Sequence, residues 1–383
     1  MKRIFNGKSH FWCLKKKAII VTTNDITTDN RVHRVSMLLL EMGFDVHWVG
    51  RELPGSMPIE RPYSTRRFKL WFTKGALFYA SFNLRLFWYL LFKRFDILIC
   101  NDLDTLLGGA LACRIKGSRI VYDTHEYFTG VPEIQGRPWV KRAWRSIEKA
   151  IFPKLQHIIT VNRSIADLYK REYGKELIVV RNIADPPGEV SNITRSEIGI
   201  PEGRFLFINQ GTGINVDRGM EEFLEALPLI PNAHLLLVGS GDVIPRLKAM
   251  AAEAGLEDRV TFVDRQPYHR LLGFTKLADV GLSLDKDTNI NYRFSLPNKV
   301  FYYIHSDIPI LASGVVEVRS IVEKYGIGEI IPDHRPHSIA EKAKLMMLNG
   351  KESYLKGLGQ ARLELTWERE RQPLINLYST LGH

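Results

Sequence analysis

Short apolar runs of strand length alternate with amphipathic helical patterns, and the alternation is written twice along the chain. That narrows the fold to α/β architecture with parallel sheets. The first round opens with a buried strand at 18–22. Asp29 then caps a helix whose apolar Val32, Val35, Leu38, Leu39 and Met42 recur at helical spacing up to Gly43, and 46–49 makes the second strand. Strands at 95–100, 119–122, 158–161 and 177–180 follow, separated by helices at 105–115, 138–151 and 164–173. The composition of residues 184–188, Ala-Asp-Pro-Pro-Gly, marks a linker. Beyond it the pattern restarts with strands at 205–209, 234–238, 259–263, 278–284 and 308–312 and helices at 220–229, 316–325 and 338–348. A last helix at 367–381 has no strand after it and is free to pack elsewhere. The expected division is therefore 1–185, 186–365 and a terminal helix at 366–383.

The chain's 383 residues, 45% hydrophobic, can bury two cores. No apolar run approaches the ~20 residues that span a bilayer, and the basic start has no clear cleavage site after an apolar core, so the expected location is cytoplasmic. Cys13, Cys100 and Cys113 lack metal-ligand spacing and are expected to be reduced. Charge is uneven. Residues 1–95 hold 17 Lys and Arg against 6 Asp and Glu, while the remainder is balanced at 36 against 36. Both nucleic acid and anionic membrane attract such a basic end. Between Arg66 and Arg94, basic residues interleave with Trp71, Phe72, Phe78, Tyr79, Phe82, Phe87, Trp88 and Phe92. This pattern suits the headgroup layer of an anionic membrane, or else a sheet-covering helix that happens to be aromatic; the two can both hold. No nucleic-acid-binding motif accompanies it.

Candidate site residues fall where strands end, which is where open α/β sheets bind ligands. The turn at 23–31 lacks a Gly-x-Gly-x-x-Gly fingerprint, which argues against a dinucleotide there. Asp102 and Asp104 spell Asp-x-Asp, readable as a metal site or simply as caps of the next helix. Asp123, His125 and Glu126 form a polar cluster able to meet sugar hydroxyls, or a set of turn residues. In the second half Gly211, Gly213, Gly239 and Gly241 follow strands and permit close backbone approach, and Arg218 at a helix head can pair with phosphate. The loop from Arg265 to Pro267 converges on the same end. Most informative is the stretch 291–314. Ser295 is placed to cap a helix with Pro297 in its first turn, whose free amides join Asn298 and Lys299 as an anion pocket.

With Arg218-Gly219, Gly239-Ser240-Gly241-Asp242 and Ser295-Leu296-Pro297-Asn298-Lys299 in that order, the chain resembles family 4 glycosyltransferases of the GT-B fold. In the first half Asp29-Asn30-Arg31-Val32, Asp123-Thr124-His125-Glu126 and Arg181-Asn182 agree. The resemblance implies two Rossmann-like domains facing across a cleft, with the last helix crossing back to the N-terminal domain. It implies a retaining, metal-independent transfer from a nucleoside-diphosphate-sugar to an acceptor hydroxyl, with no cofactor. By the same resemblance Arg218 and Lys299 hold the donor diphosphate, His125 faces the donor sugar and Arg265 to Pro267 border the base. Ser295, Leu296, Pro297, Asn298 and the glycines join the donor side, and Asp29, Arg31, Asp102 and Glu126 the acceptor side. The family's Glu-x7-Glu positions fall here on Phe294 and Tyr302, so both glutamates are missing. Tyr302 can give a ribose one hydrogen bond but cannot accept two as a carboxylate does. With the basic, aromatic first half, the expected setting is a lipid-linked or glycan acceptor at the inner membrane face, in cell-surface polysaccharide or glycolipid assembly. A degenerate GT-B protein that binds a membrane complex without catalysis is the alternative.

Overall fold

The computed structural model describes residues 15–27, 29–183, 186 and 189–382. The start of the basic leader with Cys13, Thr28 and the linker residues other than Pro186 lie outside the described residues. Two parallel sheets organise the rest. The first contains β1 (Lys17–Asp25), β2 (Asp45–Glu52), β3 (Ser64–Lys69), β4 (Ile97–Asn101), β5 (Arg119–Thr124), β6 (His157–Thr160) and β7 (Ile178–Val179), in the order β3-β2-β1-β4-β5-β6-β7. The second contains β8 (Phe205–Gly211), β9 (Ala233–Gly239), β10 (Val260–Val263), β11 (Val280–Ser283), β12 (Ile310–Ala312) and β13 (Gly328–Ile330), in the order β10-β9-β8-β11-β12-β13. Both are Rossmann-like, and the second repeats the winding of the first.

The shared order has a functional consequence. Successive strands leave the first strand in opposite directions, so each sheet has a switch point, between β1 and β4 and between β8 and β11. The central strands are buried on both faces: Ala18 to Val21, Ile97 to Cys100, Leu206 to Ile208 and Leu235 to Val238 are all 3% exposed or less. Continuous apolar runs are what a sheet covered on both faces demands. That is why these strands are the easiest part of the chain to read.

The region 66–94 is two elements, not one. β3 pairs with β2 as an edge strand, and helix Gly75–Leu91 follows. The strand is masked in sequence because Ser-Thr-Arg-Arg-Phe-Lys has a single buried apolar residue, Phe68. The helix buries Phe78, Phe82, Leu86 and Leu90 at four-residue spacing, and exposes Leu77, Leu84 and Trp88 on its other side. The buried face is the sheet-covering helix that the sequence allows. β13, only three residues long, also escapes the sequence reading.

The chain forms two compact units. The first comprises residues up to His125, Ala143–Ile159 and the chain end from Leu374; the second comprises Glu126–Arg142 and Thr160–Pro373. In the first, Arg119 Nη1 donates to the carbonyl of Leu381 in the final helix, Gln372–Gly382, at 2.8 Å. In the second, Arg181 is held by Glu370 through its backbone amide (2.8 Å) and Nε (2.9 Å). Cys100 and Cys113 are free thiols and buried. Among the described residues no helix is long and apolar enough to cross a membrane.

Candidate functional site

The second unit gathers its charged residues at the carboxyl ends of β8 and β11. Helix Met220–Ala226 begins at Gly219, whose φ is +76° and where a Cβ would stand 2.3 Å from the Leu284 carbonyl oxygen. Only glycine lets the helix start lie this close to the end of β11. The approach sets Arg218 beside Asp285, with Nη1 2.5 Å from Oδ2, and the guanidinium lies 4.0 Å over the Tyr292 ring. Lys299 Nζ donates to Asn209 Oδ1 at 3.1 Å. Burial pushes the Lys299 ammonium down to about 8; Asp285 opposes that shift and Arg218 adds to it. Two cations therefore share one carboxylate, and the net positive charge left over favours an anionic ligand.

The helix carrying Lys299 is Asn298–His305, and here the structure corrects an expectation. Pro297 occupies the N-cap position rather than the first turn, and no side chain caps the helix. Ser295 instead donates its hydroxyl to Asp285 Oδ2 at 2.9 Å, so it orients the carboxylate that faces Arg218. The first turn still presents amides without intrahelical partners, with Asn298 and Lys299 at its head. Leu296 packs against the second core. Tyr303 fixes the helix from below: its ring covers Gly281, where a Cβ would come within 2.5 Å of ring carbons, and its hydroxyl reaches the carbonyls of Ile208 (3.1 Å) and Leu282 (3.2 Å).

The four loop glycines divide into two kinds. Gly211 and Gly213 border open space, whereas a Cβ on Gly239 would meet the Gly211 carbonyl oxygen, and one on Gly241 that of Ile214, each at 1.8 Å. The latter pair serves packing of one loop on another. Arg265 is exposed, and Pro267 stands at the N-cap of helix Tyr268–Leu277. Tyr268 on that helix meets Tyr302, their ring centroids 5.1 Å apart and tilted by 46°.

The first unit builds a different cluster at the ends of β1, β4 and β5. Asp29 is the cap of helix Asn30–Glu41, accepting from the Val32 amide at 3.0 Å. Arg31, 7% exposed, donates to Asp123 Oδ1 at 2.9 Å and Oδ2 at 3.3 Å. Burial works to raise the Asp123 carboxyl, but Arg31 outweighs it and holds that group well below the ordinary carboxylate range. Asp102 stands at the head of helix Leu103–Lys116 with φ 59°, yet its side chain makes no cap bond. It accepts instead from the His125 amide at 2.8 Å and lies 3.4 Å from His125 Nδ1. His125 Nε2 is 3.8 Å from Asp123 Oδ2, an ion-pair separation too long for a hydrogen bond. Burial alone would lower the imidazole; Asp102 and Asp123 overcome it and raise His125 to about 9. His125 is thus held as an imidazolium. Glu126, half-buried, belongs to the second unit.

Of the residues expected from sequence, Arg218, Ser295 and Lys299 gather in one unit, and Arg31, Asp102 and His125 in the other. Asp285, Asn209, Tyr292 and Tyr303 were missed, although Asp285 directly follows the apolar end of a strand and so stood where ligand-facing residues fall.

Two family models match the chain: Glycosyltransferase Family 4 over residues 29–186 and Glycosyl transferases group 1 over residues 190–357. No curated protein matches the chain in sequence. Among solved structures, sucrose-phosphate synthase from Thermosynechococcus elongatus is similar with a TM-score of 0.80 at 17% identity, over 96% of this chain and 99% of that one. Anabaena Alr3699/HepE, solved with UDP and glucose, gives 0.72 at 13% identity over 95% and 100%. WaaG, a glycosyltransferase involved in lipopolysaccharide biosynthesis, gives 0.67 at 16% identity over 94% and 98%. At these identities the structural likeness shows the fold, and the family models supply the chemistry. The chain belongs to the GT-B glycosyltransferases of the family 4 and group 1 type and is a glycosyl-transfer enzyme.

Proposed function

We propose that this enzyme is a retaining glycosyltransferase that takes its sugar from a nucleoside-diphosphate donor, needs no metal, and works on a lipid-linked or glycan acceptor in cell-surface polysaccharide or glycolipid assembly. The observation that carries the donor assignment is the pair Arg218 and Lys299 sharing Asp285 at the head of a helix, a preorganised site for a diphosphate. In the reaction the bond from the anomeric carbon to the diphosphate breaks and the bond to the acceptor oxygen forms. The acceptor proton passes to the leaving phosphate. Arg218, Lys299 and the helix amides stabilise the charge that develops there, while His125 supplies an imidazolium to the sugar. The retaining course follows from the family resemblance. Metal independence is supported by Asp102 and Asp104 each having a protein partner, His125 and Thr23. Undiminished turnover of a UDP-sugar in a chelator supports it, and turnover that depends on added divalent cation overturns it. Replacing Arg218 with Ala tests the donor site: a variant as active as wild type would sink the assignment.

The membrane setting rests on the surface of the first unit. Residues 61–95 carry eight Lys and Arg and no Asp or Glu. Trp71 (98% exposed), Phe92 (83%), Leu77, Leu84 and Trp88 stand open among them. Exposed aromatics set among these basic residues suit an anionic lipid surface at the inner face of the membrane. Co-sedimentation with vesicles containing phosphatidylglycerol, but not with phosphatidylcholine alone, is the expected result; binding to neither removes the idea.

A further inference from the structure

The buried cluster of the first unit holds three carboxyl groups and two cations. Arg31 is taken by Asp123 and His125 by Asp102. Asp104 is left with a hydroxyl: Thr23 Oγ1 donates to its Oδ2 at 2.5 Å, while Oδ1 is buried without a hydrogen-bond partner. The residue is only 8% exposed. An ionised carboxylate in such a place, with one oxygen bare, is far costlier than a neutral acid.

We propose that Asp104 carries a proton on Oδ1 and is a positioning residue for the Asp102–His125 pair, its ionisation setting how tightly the imidazolium is held. The inference rests on His125 belonging to the transfer site. The charged and titratable groups facing Asp104 are Asp102 on its own turn, His125 after β5, Arg51 of β2, Cys100 of β4 and Tyr122 of β5. Burial keeps the last two neutral by pushing them up. Burial and then Asp102 raise Asp104 to about 7, against the opposing pull of Thr23, His125 and Arg51. Above that point the proton leaves to solvent and a second negative charge appears beside Asp102. His125 then holds its own proton more firmly.

The test follows the His125 ring by NMR in the full chain labelled at histidine, the signal being assigned by its loss in His125→Gln. The wild-type signal should show an inflection near neutral pH that belongs to Asp104, separate from the ring's own deprotonation at higher pH. Asp104→Asn should abolish the first and lower the second by about half a unit. Thr23→Val, close in shape, should move the first inflection upward because the hydroxyl bond that favours the carboxylate is gone. A near-neutral inflection unchanged in Asp104→Asn overturns the proposal. Should that variant fail to fold, an inflection unmoved in Thr23→Val overturns it equally. Hydrolysis of UDP-glucose is measured alongside. Wild-type turnover should change between about pH 6 and about pH 8 while that of Asp104→Asn stays flat. Absence of any turnover with the Asp104 inflection intact overturns the donor reading and leaves the proton assignment standing.

Discussion

The two sheets share one strand order and place a charged cluster at the same point of it, beside the first strand of each, yet the clusters balance charge in opposite ways. In the buried cluster of the first unit Arg31 is paired with Asp123 and His125 with Asp102, and a further acid, Asp104, remains. In the second, Arg218 and Lys299 have Asp285 alone. One cluster is saturated and so can hold side chains in fixed orientation. The other carries a charge that only a ligand completes. Topology chooses where a site goes; the count of acids against bases decides what it can take.

The comparison breaks most readily at the unsaturated end. Arg218→Ala and Lys299→Met should each lower kcat by about a hundredfold to a thousandfold in a UDP-sugar assay, the range for losing one preorganised donor to a developing negative charge. Lys299→Met should also raise the Tm of the unliganded protein, because it removes an ammonium that burial disfavours. A Tm that falls would mean that Lys299 is a structural group satisfied by Asn209. The saturated cluster should respond to pH instead. His125 is raised to about 9 in the fold, above its ordinary value, so its stabilising pairing is complete below pH ~6.5 and is lost as pH rises through about 9. Thermal melts of wild type and His125→Gln across that window should converge as pH increases; parallel curves would contradict the pairing.

The helix starts of the two units differ as well. Asp29 caps the first by a side-chain bond, and Asp29→Ala should cost about 1 kcal/mol. Gly219 begins the second by letting it press on Leu284, so Gly219→Ala meets both backbone strain and a clash and should cost about 2 kcal/mol or more in a denaturant titration. Equal costs would mean that the backbone at Leu284 yields.

How much of this the sequence carried follows from what each residue depends on. Strands such as 18–21 and 235–238 are legible because burial on both faces writes an unbroken apolar run. Arg218, Lys299 and His125 are legible because each belongs to a short motif at a strand end. Asp285 and Asn209 are not, since their roles come from contacts 67 and 90 residues away along the chain. Ser295 was assigned the wrong bond for the same reason: a helix cap is a local rule, and the pull of Asp285 is not local. β3 was hidden because an edge strand needs only one buried side chain, and Phe68 provides it.

Tyr302 offers the finest test of the difference between the units. It sits one turn beyond Lys299 on the same helix, with its ring against Tyr268. Tyr302→Glu adds a carboxylate beside the Arg218–Lys299 cluster, making that cluster's balance more like that of the other. If the nucleoside's ribose lies there, the carboxylate accepts from both hydroxyls and UDP should bind about fivefold more tightly, the difference between a charge-assisted and a neutral hydrogen bond. If the glutamate instead turns to Lys299, it neutralises the charge that recruits the diphosphate, and affinity falls. Calorimetry with UDP and with uridine separates the two. Uridine has no phosphate to lose, so a gain for uridine alongside a loss for UDP would show that both the ribose contact and the competition for Lys299 are real.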